Sequence, residues 1–317
     1  SIEITTLNSS KTQRFNYPID FSEMSFESDE NVIYIGNEDL HVFDINKKKL
    51  TKSIVPGSYF KNYLIDNLKV IEGKLFVSHD NGVFEIPKNM FLLDSPSSKI
   101  IFYDYNELLN SDVPRGFVDI EKIDNNYYVS TKQSGLLKYE NDFNNLIKNF
   151  EFDGNSENSL ATSTPTKLLY SKIENTLYIG SIGSGLFKYD IDSEVFENLN
   201  IENGMLSGNV YDFLQVSEKL FFQSGTGINF IDKDIIKNIT SEDGLSPVSF
   251  HKESLHNLDG NIFVSGDEKI QYFNLESIEK SDDKFFINSF NIVGIDELNT
   301  KKIIPIDQNK IEIDYQT

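Results

Sequence analysis

The sequence has no cysteine and no tryptophan, and only two of its basic residues, Arg14 and Arg115, are arginines. Without cysteine, disulfides, thiol nucleophiles and thiolate-bound zinc are all excluded, and neither an oxidising nor a reducing compartment is favoured. No apolar run approaches the roughly 18 residues of a membrane-spanning helix. No signal peptide is visible, and the chain opens at Ser1 without a methionine, which reads as a portion cut from a longer protein. Positive charge is also scarce. Against 50 Asp+Glu stand 29 Lys+Arg, a formal net charge of -21. Such a surface repels phosphate backbones and anionic headgroups, so direct nucleic-acid binding is disfavoured. Solubility alone is a sufficient reason for the charge.

What is present is a β-forming composition. Hydrophobic residues make up 38% of the 317, enough for a folded core. The aromatic side chains are 25 Phe and 15 Tyr, which suit half-buried pleated surfaces. One pattern recurs six times: a short apolar strand ending in a small or polar residue, a polar turn, then a second apolar strand. The first strands are Val32–Gly36, Leu75–Ser78, Tyr127–Ser130, Leu177–Gly180, Leu220–Gln223 and Ile262–Ser265. Their closing residues, Gly36, Ser78, Ser130, Gly180, Gln223 and Ser265, follow one another at intervals of 42, 52, 50, 43 and 42 residues. The segments alternate with period two, so helical repeats are excluded. A period of about 40 to 50 with all-strand content is that of a four-stranded propeller blade.

The expected fold is therefore all-β, a β-propeller of six or seven four-stranded blades over residues 1–278. Small residues at the strand ends would let neighbouring sheets approach, while Phe and Tyr on the second strand of each pair would fill the space between them. A further strand precedes each pair, as in Val210–Gln215 and Phe117–Lys122, and is expected to be innermost in its blade. Ile2–Thr5 reads as a strand of an incomplete or completed blade. From about Glu279 a charged linker leads to Phe285–Ile292 and two more strand candidates, a short C-terminal β segment placed at 279–317.

Two stretches carry a family resemblance. Asp243-Gly244-Leu245-Ser246 and Asn203-Gly204-Met205-Leu206-Ser207-Gly208-Asn209-Val210-Tyr211 resemble the opening of a blade in two-component regulator propellers. The strand pair Leu177–Asp190 resembles that family's blade core, with Tyr178 where tryptophan is usual. Asp259–Gly266, closing at Tyr272-Phe273-Asn274, resembles a last blade, and Phe286–Phe290 resembles the start of the triple-tyrosine β-sandwich that follows such propellers. The resemblance implies the periplasmic sensor region of a hybrid histidine kinase-type protein, detecting a carbohydrate or another small solute. It also implies a homodimer in the parent protein, membrane attachment only through later segments, and no enzymatic activity in this stretch. A protein-interaction scaffold, or a propeller lyase or glycosidase, are the rival readings.

The residues offer little chemistry of their own. The four histidines, His41, His79, His251 and His256, show no metal-ligand spacing. Asp80-Asn81-Gly82 and Asp153-Gly154-Asn155 lack the oxygen ligands of a calcium loop and read as turns. Gly180–Gly185 has no following lysine or helix, so it is a hairpin turn and not a phosphate loop. No cofactor and no metal site are expected. If the mouth of a central channel binds ligand, the residues at the start of the inner strands are the candidates: Arg115, Asn209, Tyr211, Phe250, His251 and Tyr63. Aromatic rings cover the apolar face of a pyranose, and a guanidinium donates forked hydrogen bonds to hydroxyls. The plainer reading makes these rings core and pairs Arg115 with an acid.

Overall fold

In the computed structural model the described residues are 2–6, 11–15, 25–29, 32–36, 40–52, 65–79, 81–91, 100–104, 116–141, 143, 145–150, 160, 164–225, 227–245, 250–258, 260–266, 269–275 and 288–291. Strands β1 (Ile2–Thr6) and β2 (Lys11–Phe15) form a hairpin of their own, and six four-stranded antiparallel sheets follow. Sheet I is β3 (Ser25–Asp29), β4 (Val32–Gly36), β5 (Leu40–Asp44) and β6 (Lys49–Lys52). Sheet II is β7 (Ile65–Ile71), β8 (Lys74–His79), β9 (Gly82–Pro87) and β10 (Ile101–Asp104). Sheet III is β11 (Phe117–Ile123), β12 (Asn126–Thr131), β13 (Leu136–Glu140) and β14 (Leu146–Phe150). Sheet IV is β15 (Pro165–Ser171), β16 (Thr176–Ser181), β17 (Leu186–Asp190) and β18 (Phe196–Leu199). Sheet V is β19 (Val210–Val216), β20 (Lys219–Ser224), β21 (Gly227–Asp232) and β22 (Ile235–Ile239). Sheet VI is β23 (Phe250–Leu258), β24 (Asn261–Gly266), β25 (Lys269–Asn274) and β26 (Asn288–Asn291).

Each sheet runs in sequence order from its first to its fourth strand. The fold is a β-propeller of six blades, with the six repeats of the sequence as the six sheets. The strand Asn288–Asn291, which the sequence places with the C-terminal segment, pairs with β25 as the fourth strand of sheet VI. Residues 292–317 lie outside the described residues. No helix among the described residues is long and apolar enough to cross a membrane.

The chain divides into two compact units, Ser1–Ile120 and Glu121–Thr317. In the first, sheets I and II enclose a core of Tyr34, Leu40, Ile65, Leu68, Val77 and Phe84. In the second, three cores lie between consecutive sheets: around Leu168, Ile179 and Tyr189 for III and IV, around Tyr178, Phe213 and Phe222 for IV and V, and around Phe221, Leu255 and Phe273 for V and VI. First strands lie against first strands, β3 on β7 in one unit and β15 on β19 on β23 in the other. Within each unit these sheets therefore meet at their first strands.

Gly180 shows why the small residue recurs. A Cβ there would stand 2.7 Å from Thr166 Oγ1 and 3.0 Å from the backbone oxygen of Val210 on the next sheet. At Gly36 it would stand 2.9 Å from the Ile65 side chain. The strand pairing supplies the alternation and the close approach supplies the glycine; the two together fix the position of the next sheet.

Candidate functional site

The loops that lead into the first strands of sheets V and VI have the same local fold. Asn200 begins one: its side chain accepts from Glu202 N at 2.8 Å, and its own N–H donates to Asn203 Oδ1 at 2.9 Å. Gly204 then turns with φ 101°, a left-handed conformation open to glycine, and Met205 is buried beneath the turn. Thr240 begins the other: Glu242 N donates to Thr240 Oγ1, Thr240 N donates to Asp243 Oδ2 at 2.9 Å, Gly244 turns with φ 94°, and Leu245 is buried. Each is a reciprocal capping pair three residues apart, followed by glycine and an apolar plug. The plug explains the Gly-Met and Gly-Leu of the two motifs: the turn needs glycine, and the next side chain seals the end of the inter-sheet core.

Beyond Met205 the loop is stitched down by polar side chains. Leu206 N donates to Asn229 Oδ1 at 3.0 Å, Ser207 N donates to Ser224 Oγ, and that hydroxyl donates back to Ser207 O at 2.7 Å. Asn209 is half-buried, and its Oδ1 accepts from Gly183 N at 2.7 Å, tying the lead-in of sheet V to the β16–β17 turn of sheet IV. Tyr211 is half-buried beside it. The register sets Tyr211 and Asp212 opposite Gln223 alone, a β-bulge in β19.

Asn209 and Tyr211 thus lie together at the head of β19. Phe250 and His251 hold the corresponding place in β23, Phe250 opposite Gly266, and their side chains lie outside the described residues. Arg115 and Tyr63 also lie outside them, as do Asp80 and Asp153–Asn155. Gly180–Gly185 is the β16–β17 hairpin turn, closed by Ser181 Oγ donating to Gly185 O at 2.7 Å.

The bulges carry polar residues that the sequence did not single out. Asp212 is 3% exposed. Its Oδ1 accepts from Phe213 N at 2.9 Å and its Oδ2 from Leu255 N at 2.8 Å on β23, so one carboxylate joins two first strands. Burial pushes its pKa above the usual carboxylate range, opposed by the charge of Lys167 on β15 and by the two N–H donors. In the other unit Asp119, 1% exposed, accepts from Ile120 N at 2.8 Å and from the Asn67 carboxamide. Lys167 and Asp212 each stand one residue before the apolar residue, Leu168 or Phe213, at which regular pairing resumes.

No protein-family model matches the sequence, and no curated protein matches it. Solved structures of similar fold include a chain of the mitotic checkpoint complex, at 11% identity with a TM-score of 0.56, covering 80% of this chain and 77% of that one. The computationally designed Ika8 protein aligns at 10% identity and a TM-score of 0.47, over 81% of this chain and 85% of its own. The extracellular domain of a protein assigned to a hybrid two component system of B. thetaiotaomicron aligns at 13% identity and a TM-score of 0.44, over 91% of this chain and 54% of its own. At these identities the likeness concerns the fold alone.

Proposed function

We propose that this chain is the ligand-sensing, extracytoplasmic part of a two-component signalling protein, recognising a carbohydrate or another small solute. The observation that supports this reading most is the duplicated lead-in. Asn203-Gly204-Met205 and Asp243-Gly244-Leu245, from the stretches that resemble two-component regulator propellers, have the same local fold, capped turn, left-handed glycine and buried plug, in successive blades. A periplasmic location, a homodimeric parent protein and an output domain elsewhere in that protein follow from the reading, as does the absence of turnover in this stretch.

Thermal unfolding of the 317-residue chain in the presence of an oligosaccharide panel tests it. A ligand at about 100 times its Kd stabilises a fold by about 2.7 kcal/mol. For a chain of this size that is a rise in Tm of about 4 °C. A panel of plant, host and microbial glycans that leaves Tm unchanged, with no heat of binding in calorimetry, would overturn the reading.

A further inference from the structure

The chain contains two Asn-Gly pairs, Asn81-Gly82 and Asn203-Gly204. This dipeptide carries a chemistry of its own. The glycine nitrogen attacks the asparagine Cγ, the bond from Cγ to the amide nitrogen breaks, ammonia leaves, and a cyclic succinimide remains. Water then opens the ring at either carbonyl. One opening gives aspartate; the other gives isoaspartate, in which the backbone runs through the former side chain. Glycine favours the attack because it has no side chain in the way and its backbone rotates freely. In sequence the two pairs are equivalent; the structure separates them.

Gly82 is buried in sheet II, opposite His79 of β8 on one side and Asp104 of β10 on the other. A Cβ there would meet Tyr103 O at 2.1 Å, so its backbone is enclosed by the neighbouring strand. The ladder must part before Gly82 N can turn onto Asn81. Asn203 and Gly204, by contrast, are both exposed. Gly204 ends a short 3-10 turn, Ile201–Asn203, in which no residue is buried. The nearest heavy atom to its Cβ position is Ile236 O at 3.9 Å. Its N–H donates to Ile201 O at 3.0 Å, and freeing it breaks one hydrogen bond at the surface, where water replaces the partner.

We infer that Asn203 is a site of spontaneous deamidation in the folded protein, with an aspartate product that the lead-in of sheet V accepts and an isoaspartate product that it does not. The lead-in of sheet VI shows the accepted form. Glu202-Asn203-Gly204 and Glu242-Asp243-Gly244 make the same turn, in which Asn200 N donates to Asn203 Oδ1 at 2.9 Å and Thr240 N to Asp243 Oδ2 at 2.9 Å. The contact at position 203 uses the side-chain oxygen, which aspartate keeps, and the added charge is the one Asp243 already carries. Isoaspartate lengthens the backbone by a methylene just before Gly204. The carboxylate then leaves its place against Asn200 N, and Met205 loses its buried seat beneath the turn.

The test is peptide mapping by mass spectrometry after the folded chain has stood in heavy-oxygen water at mildly alkaline pH, with the chain unfolded in urea as reference. In urea both Asn-Gly pairs should take up label at like rates. In the folded chain Asn203 should outpace Asn81 by about tenfold or more, each factor of ten being about 1.4 kcal/mol of extra opening cost at Gly82. Equal rates in the folded chain, faster labelling of Asn81, or an Asn203 that labels only in urea would overturn the assignment. Asn203→Asp should unfold at the denaturant midpoint of the parent, and Asn203→Ala, which lacks the oxygen, at a lower one. The isoaspartyl fraction, separated by chromatography, should also unfold earlier than the parent. An Asn203→Asp variant as weak as Asn203→Ala, or an isoaspartyl fraction as stable as the parent, would show that the turn does not discriminate between the two products.

Discussion

Sheets III and IV fill one pair of facing positions differently from sheets V and VI, although the register is the same. In III and IV a tyrosine on the second strand faces a lysine on the third, Tyr128 with Lys138 and Tyr178 with Lys188. In V and VI the same pairs are aromatic: Phe221 stacks on Phe230 with centroids 5.3 Å apart, and Phe263 on Tyr272 at 5.2 Å. The lysines need anions: the turn before the fourth strand of the next sheet supplies one to each, and Lys188 also has Glu197 of its own sheet, nearer at 3.4 Å. Glu194 lies 3.2 Å from Lys138 and 2.9 Å from Lys148, and Asp234 lies 3.9 Å from Lys188. Both acids have positive φ, 56° and 65°. One position in a repeated sheet can therefore be filled by a charged latch or by stacked rings. The latch responds to pH and salt; the rings respond to packing.

The largest expected effect lies on the aromatic side. Phe221 is fully buried and contacts both Phe230 and, at 6.1 Å, Phe273 on sheet VI. Phe221→Ala should lose about 3–5 kcal/mol in denaturant unfolding. Lys138→Met, on the ionic side, should lose no more than about 1 kcal/mol, because the Glu194 left behind keeps Lys148 and reaches solvent. Equal losses in the two variants would erase the distinction.

Gly180→Ala sharpens the comparison at the small-residue position. The added methyl meets the backbone oxygen of Val210, which cannot move without shifting β19. Overpacking of this kind costs about 1–3 kcal/mol. Gln223→Ser at the corresponding place in sheet V should cost less, since it removes bulk instead of adding it. If Gly180→Ala unfolds at the same denaturant concentration as the parent, the close approach is not what fixes the glycine.

Much of this architecture was legible because it is periodic. Alternation and the recurring Gly or Ser located the six blades, and Asn203-Gly204 and Asp243-Gly244 located the two lead-in turns. What stayed hidden depends on register between strands. Asn288–Asn291 reads as the start of something new because a charged stretch precedes it, yet its backbone completes sheet VI. Asp212 looks like one acid among 50 until the bulge in β19 turns it toward Leu255 N.

The smallest effect separates the latch from the rings by pH. Hydrogen bonds from Lys148 and Lys138 hold the Glu194 carboxyl below its ordinary value, with burial opposing them. A carboxylate whose pKa is lower folded than unfolded contributes stability above its unfolded pKa and loses it as pH falls through the folded one. Glu194→Gln should therefore lose a fraction of a kcal/mol at neutral pH, as exposed pairs do. That difference should vanish on acidification below the ordinary glutamate range. Asp212 has the opposite sign. Burial raises its pKa, so its proton is favoured in the fold and its contribution weakens as pH rises through the folded value. Stability curves of the parent and Glu194→Gln against pH should converge at the acid end and run apart above it. Adding about 1 M salt, where the screening length is about 3 Å, should bring them together at neutral pH. Curves that stay parallel across the acid range, or that salt leaves apart, would show that Glu194 holds sheet IV to sheet III by shape and not by charge.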